Sequence, residues 1–270
     1  MLVIFSGGSG VGKNTVIKEL IKDGGYALLP TYTTRDKRPG ESEGDPYCFI
    51  TEEQFKGKIE SGELYEYENV HGHYYGTSRK LLKEKLALNK TLLKDIDVLG
   101  TQSLTDKIDD VKIVTLFLKV RSKDILVERL MERKEKEIDK RLLRYDFEMS
   151  FKNRYDYIID NVELQETKDL AEKIVAAEKA GEKPTDAEDA PIDGAEIKSY
   201  AEKLLGGEIL DPVHVSEKDG KFYIISGKNR YLAGLSTGKR VAKELVKCAD
   251  IKEMPQTEWL AAIEKFGFKK

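Results

Sequence analysis

Nine residues near the start of the chain, Gly7-Gly-Ser-Gly-Val-Gly-Lys-Asn-Thr15, leave four residues between Gly7 and the Gly12-Lys13 pair. That is the spacing of a loop that cradles a polyphosphate. Glycines let successive backbone N–H groups turn toward one anion, and a following helix adds the partial positive charge of its N-terminus. Lys13 then supplies a full charge at the β and γ phosphates. Gly7, Gly8, Ser9, Gly10, Val11, Gly12, Lys13, Asn14 and Thr15 are therefore expected to bind a nucleoside triphosphate. The dinucleotide fingerprint G-x-G-x-x-G fails, because Lys13 stands where the last glycine would follow Gly8 and Gly10. The motif asks for Ser or Thr after the lysine as a Mg²⁺ ligand. Asn14 occupies that place, so a metal contact would fall to Asn14, Thr15 or the downstream Asp95, directly or through water. A plain strand-to-helix turn is the competing reading, and the lysine and the position argue against it.

A second cluster follows. Arg35 and Arg38 lie three apart in a turn-prone stretch ending in Pro39-Gly40. Two guanidinium forks converging from one loop make a clamp for one phosphate, although either arginine alone could be a solvated loop charge. Glu66 can accept paired hydrogen bonds from a guanine N1–H and 2-amino group, an edge adenine does not present. Its neighbours Glu63 and Glu68 allow an exposed-strand reading instead. Asp95 reads equally as a metal-side or a structural carboxylate, and His71 and His73 read as surface or structural residues.

The elements that must hold these residues alternate. An apolar run at 2–5 predicts a buried strand, and 13–22 predicts a helix. Strands are predicted at 91–93, 111–118 and 157–159, with helices at 122–133, 136–150 and 167–179. Strands alternating with helices indicate an α/β fold with a parallel sheet covered on both faces. Residues 44–77 interrupt this rhythm with strands at 47–50, 63–69 and 73–75 and a helix at 52–60, which indicates a β-rich insert.

The chain has 270 residues, enough for one large or two modest domains. It lacks any run of roughly 18 apolar residues, so no spanning helix is expected. The apolar opening is too short for a secretory leader. Two cysteines and three histidines build neither a disulfide framework nor a zinc site, and a reducing cytoplasm is the expected address. The net charge of −3 excludes the global footprint of a nucleic-acid binder. Residues 181–192, poor in large apolar side chains and acidic, predict a solvated linker between a domain at 1–180 and another at 193–270.

The phosphate loop, residues 31–41, Glu66, His73-Tyr-Tyr-Gly-Thr-Ser78 and Asp95-Ile-Asp97 together resemble guanylate kinase, in that family's order, over residues 1–175. The resemblance implies the nucleoside monophosphate kinase form of the α/β fold, with a GMP-binding insert at about 32–80 and a lid at about 130–145. Thr31 matches a serine on the GMP side. Arg35, Arg38, Tyr47 and Tyr75 match residues that hold the GMP phosphate, with Gly76 beside them. Glu66, Thr77 and Asp97 match those that read guanine. Arg129, Arg133 and Arg141 match arginines that reach the ATP phosphates, and Asn161 ends the strand that borders the adenine. Lys13, Arg35, Arg38 and Arg141 form the implied catalytic set for transfer from ATP to GMP or dGMP with Mg²⁺. The chain departs from the family at Val98-Leu99, where a tryptophan–glutamine pair is usual, and in a shorter, charged lid.

Two rival classes are a non-catalytic interaction module of the same fold and a nucleotide-sensing nucleic-acid regulator. Retention of Gly7–Lys13, Arg35, Arg38 and Asp97 argues against the first. Residues 193–270 bear on the second: a proline-valine strand at 212–215, a turn at Lys218-Asp-Gly220, and Ser226-Gly-Lys-Asn-Arg230 opening a helix resemble the ParB-like domain, related in fold to sulfiredoxin, which implies a small α+β domain. Ser226-Gly-Lys-Asn-Arg230 lacks the cysteine of sulfiredoxin, which argues against its redox chemistry. In this segment helices are predicted at 192–205, 229–235 and 258–266, and strands at 213–215 and 222–225. Lys239, Arg240, Lys243 and Lys247 form a small basic cluster, weak support for a nucleic-acid partner and equally a solvated face. No membrane partner is expected.

Overall fold

The computed structural model describes residues 1–38, 40–70, 72–132, 135, 137–186 and 192–248. It divides into two compact units, residues 1–7 with 12–115, and residues 8–11 with those from 116 onward.

In the first unit, β1 (Leu2–Ser6) is buried along its whole length. A strand with four consecutive apolar residues, Leu2–Phe5, suits a parallel sheet enclosed on both faces. After the phosphate loop, α1 (Lys13–Lys22) turns Val16, Ile17 and Leu20 inward. Next come β2 (Tyr26–Leu28), β3 (Thr31–Thr33), β4 (Ser42–Glu43), β5 (Pro46–Phe49), α2 (Glu52–Glu60), β6 (Leu64–Val70), β7 (His73–Ser78), α3 (Arg79–Leu86), β8 (Thr91–Asp95) and α4 (Val98–Lys107). β8 runs parallel between β1 and β2, pairing Leu2 with Leu92 and Tyr26 with Thr91. Leu2, Ile4, Leu29, Tyr65, Leu82, Leu92, Leu104 and Ile108 pack as one core. The expected insert is a separate sheet of order β4-β5-β3-β7-β6. Its helix α2 starts in a capping box, Thr51 with Gln54, and drives Phe55 into the interior, where it stacks on Tyr74 at 5.2 Å.

In the second unit, β9 (Ile113–Lys119) leads to α5 (Lys123–Glu132), α6 (Ile138–Met149), β10 (Tyr157–Asp160) and α7 (Leu164–Ala180). Then follow β11 (Thr185–Asp186), α8 (Gly194–Leu205), β12 (Val213–Lys218), β13 (Lys221–Ser226), α9 (Lys228–Thr237) and β14 (Lys243–Leu245). β10 pairs parallel with β9 and β14, β14 with β12, and β12 turns back antiparallel on β13. The sheet of this unit is therefore mixed, its antiparallel pair being the tail hairpin around the turn expected at Lys218-Asp-Gly220. α8, α9, β12 and β13 share a second core around Ile197, Val213, Val215, Ile224 and Leu232.

Three expectations need correction. Residues 181–192 are not all solvated linker: α7 stops at Gly181, in left-handed conformation, and Thr185-Asp186 pair with Tyr223-Ile224. Three of the four basic residues of the tail cluster have partners within the unit, and the structure adds no support for a nucleic-acid partner. Arg240 pairs with Asp156 at 2.9 Å, Lys247 with Glu166 at 2.8 Å, and the Lys243 ammonium lies 4.3 Å from the centre of the Tyr157 ring. β2, β3, β4, α3, α4, β11 and β14 are elements the sequence reading does not predict. The helix expected at 258–266 lies outside the described residues, as do Arg133 and His71. Among the described residues no helix is long and apolar enough to cross a membrane.

Candidate active site

The phosphate loop is built on glycine conformations. Gly7, Gly10 and Gly12 have φ of 123°, 93° and 99°, a region that side chains disfavour. Tyr145 packs where a Cβ on Gly8 would sit, and Leu126 lies 2.8 Å from a Cβ on Gly10. The loop thus needs glycine for space as well as for φ. In the first unit, the Lys13 ammonium donates to the Gly7 carbonyl at 2.6 Å and stands 3.9 Å from Asp95. Burial pushes the Asp95 carboxyl up, and Lys13 and Lys94 oppose that. β1 and β8 are adjacent parallel strands, so their C-terminal ends bring the loop and Asp95 together.

In the second unit, the loop carbonyl of Val11 is fixed from two sides. Arg129 donates to it at 3.2 Å and to the Asn161 carbonyl at 3.0 Å. The Asn161 side chain donates to the same Val11 carbonyl at 2.6 Å, and Thr167 holds its amide oxygen at 2.8 Å. Arg141 donates to the Ser9 hydroxyl at 2.6 Å and to Glu135 at 2.7 Å. Arg129 and Asn161 brace the loop backbone, and Arg141 presents its guanidinium directly at the loop.

The acceptor side lies within the first unit. Asn14, Arg35, Arg38, Tyr47, Tyr75 and Asp95 line one cavity of about 310 Å³ together with Glu41. Arg35 forks onto Glu41 at 2.7 and 3.0 Å, and its guanidinium lies 5.2 Å from the Tyr47 ring centre. Glu41 also accepts from the Arg38 backbone N–H at 2.8 Å. Arg35 accordingly holds the Glu41 carboxyl below the usual range. Burial pushes the Tyr47 phenol up to about 12, so it remains a hydroxyl donor. Glu41 here and Lys94 deeper in the same unit escaped the sequence reading. Glu41 closes the segment that carries the arginines, and only its spacing could have flagged it. Lys94 was hidden by its apolar neighbours.

A second group sits deeper. Glu66 and Thr77 face each other across β6 and β7, and the threonine hydroxyl donates to the glutamate at 2.5 Å. Lys94 donates to the Thr31 hydroxyl at 2.8 Å. Asp97 accepts from Gly100 N–H at 2.8 Å and so caps α4. Gly76 adjoins Thr77, and a Cβ there would lie 2.9 Å from Phe55 and 3.0 Å from the Glu66 carbonyl. Gly76→Ala should therefore cost about 1–3 kcal/mol through overpacking, measured as a lowered urea midpoint. An unchanged midpoint would show that this contact yields freely.

Known proteins resemble the chain over its first two thirds. The family model for guanylate kinase matches residues 1–178. The guanylate kinase of Thermotoga maritima is 36% identical over 66% of this chain and 87% of its own length. That of Prochlorococcus marinus is 39% identical over 62% and 91%. A crystal structure of guanylate kinase from Anaplasma phagocytophilum superposes with a TM-score of 0.54 at 30% identity, over 66% of this chain and 85% of that one. With the family model spanning well over half its length, the chain belongs to the guanylate kinase family.

Proposed function

We infer that this member of the family is an ATP:GMP phosphotransferase, moving the γ-phosphoryl group of ATP to the phosphate of GMP or dGMP and yielding ADP and the nucleoside diphosphate. The observation that carries this reading is the cavity in which Arg35, Arg38, Tyr47 and Tyr75 meet Asn14 and Asp95. Phosphoryl transfer asks for in-line placement and charge neutralisation more than covalent help from the protein. Lys13 and the loop amides would hold the ATP phosphates, with Arg141 beside Ser9. Arg129 and Asn161 would keep the loop in shape. Arg35, Arg38, Tyr47 and Tyr75 would hold the acceptor phosphate. An oxygen of that phosphate forms the new bond to the γ-phosphorus as the bond to the β-bridging oxygen breaks. The acceptor is already anionic near neutral pH, so no general base is required.

Among the described residues no group of three or more His, Cys, Asp and Glu could hold a metal ion. One carboxylate with neutral oxygen donors nevertheless suits Mg²⁺, which keeps several waters and takes the rest of its ligands from substrate phosphates. Asp95, Asn14 and Thr15 would hold it, and when bound it would neutralise charge on the ATP phosphates.

Base choice would rest on Glu66, Thr77 and Asp97, with Thr31 nearby. Glu66→Gln replaces an acceptor oxygen by an amide donor, which should lower kcat/KM for GMP by roughly a hundredfold and leave AMP little changed. Steady-state rates over a panel of ribo- and deoxynucleotide monophosphates test both points. Equal use of GMP and AMP by the natural chain would overturn the assigned substrate. An unchanged preference in the variant would remove Glu66 from base reading.

For the tail, a ParB-like arrangement is supported by the β12–β13 hairpin and by α9 opening at Gly227 with φ of 88°. An experimental structure lacking that hairpin-to-helix order would remove it.

A further inference from the structure

Lys119 ends β9 with its side chain 14% exposed, after the buried run Thr115, Leu116, Phe117 and Leu118. A lysine is rarely enclosed unless its charge is met. Two carboxylates meet this one. Asp160 of β10 lies 2.6 Å from the ammonium, and Glu244 of β14 lies 3.2 Å from it. Strand register accounts for the convergence. Asp160 stands beside Lys119 in the β9–β10 pair, and Glu244 stands beside Ile158, two residues before Asp160 and on the same face. Burial pulls the ammonium down, and the two carboxylates outweigh that and hold it above its usual range. His214 Nε2 also approaches Glu244, at 4.0 Å.

The cluster sits one residue from a brace of the phosphate loop. Asn161 follows Asp160, and its backbone N–H donates to the Lys119 carbonyl at 2.8 Å. Its side chain donates to the Val11 carbonyl at 2.6 Å. Lys119 thus holds the end of β10 twice, by its carbonyl at Asn161 and by its ammonium at Asp160. Without the ammonium, two carboxylates would be left together in a partly buried place and would repel. Asp160 would swing away from Glu244 and draw on the strand end that carries Asn161.

We propose that Lys119 is a positioning residue for the ATP-binding loop: its ammonium neutralises Asp160 together with Glu244 of the tail, which keeps Asn161 against the Val11 carbonyl. The inference rests on the phosphotransfer reading above and deepens it, because it makes a tail strand part of the support of the ATP site. Lys119 acts through Asn161, without touching the nucleotide.

The test measures ATP Kd by calorimetry and GMP KM by steady-state assay on the full chain with Lys119→Met, which keeps length and removes charge. ATP Kd should rise roughly fivefold or more, with GMP KM within about twofold. Adding Asp160→Asn and Glu244→Gln to Lys119→Met removes the repulsion and should bring ATP Kd back to within about twofold of the natural chain. In an Asn161→Ala background, Lys119→Met should change ATP Kd by less than about twofold, because the brace it acts through is gone. Lys119→Gln, uncharged and able to donate to one carboxylate, should raise ATP Kd in the same direction and serves if the methionine variant does not fold. An unchanged ATP Kd in folded variants would overturn the proposal. So would a parallel rise in GMP KM, a full rise in the Asn161→Ala background, or no recovery in a folded triple variant. A natural chain that binds ATP yet leaves GMP unphosphorylated defeats the phosphotransfer reading alone, and ATP Kd still decides the role of Lys119.

Discussion

Lys13→Ala should lower kcat for GMP phosphorylation by about 10³-fold, equivalent to about 4 kcal/mol of transition-state stabilisation. The lysine follows three glycines with positive φ, on the first turn of α1, and reaches back over the loop to the Gly7 carbonyl. That position gives a mobile cation a fixed anchor beside the place where a triphosphate tail would lie. Charge building on the transferring group would meet Lys13 in a setting shielded from water, where a single charge counts for more than in bulk solvent. The fold should tolerate the change, because the Lys13 side chain meets the Gly7 carbonyl and the end of β8 at Asp95, while the buried face of α1 is made by Val16, Ile17 and Leu20. Rapid-quench or coupled-assay rates on protein with an unchanged thermal transition measure the effect. Near-natural turnover would remove Lys13 from the phosphate site.

Arg35→Ala should have the second largest effect, lowering kcat/KM for GMP by about 10²-fold, mainly through KM, with ATP KM little changed. Arg35 lies between the Glu41 carboxylate and the faces of Tyr47 and Phe49, at 5.2 and 5.7 Å from the ring centres. A guanidinium held by a fork and by aromatic faces is set in orientation before substrate arrives, and preorganisation is what gives a phosphate clamp its strength. Arg35→Lys should recover only part of the loss, since an ammonium cannot fork onto an oxyanion. A loss shared equally by ATP and GMP would place Arg35 outside the acceptor site.

Several parts of this arrangement were legible in the sequence because they follow local rules. The run Leu2–Phe5, the glycine spacing through Lys13 and the period of 13–22 place strand, loop and helix almost to the residue. The pairing of Thr51 with Gln54 announces α2 at its first residue. What the sequence hid depends on tertiary context. Lys94 interrupts an apolar run and reads as the polar end of a strand. Only tertiary packing buries it and brings its ammonium to Thr31 of β3. β14 is three residues long, two of them charged, and exists as a strand because β10 and β12 flank it. α4 carries Gly100, Thr101 and Thr105 in a weak apolar pattern, and only its cap at Asp97 marks the start. Arg129 shows a different limit. Its place matches an arginine that reaches ATP, yet its donors fall on the backbone carbonyls of Val11, Asn161 and Val162. A motif position specifies a guanidinium near the loop, and packing decides which acceptors it meets.

The most direct measurement of the central claim is a phosphorus NMR time course of the full chain with ATP, GMP and Mg²⁺. The account predicts loss of the ATP γ resonance and of GMP in equal amounts, with stoichiometric GDP and ADP and negligible inorganic phosphate. Folded protein that leaves GMP unchanged, or that releases inorganic phosphate in place of GDP, would contradict it.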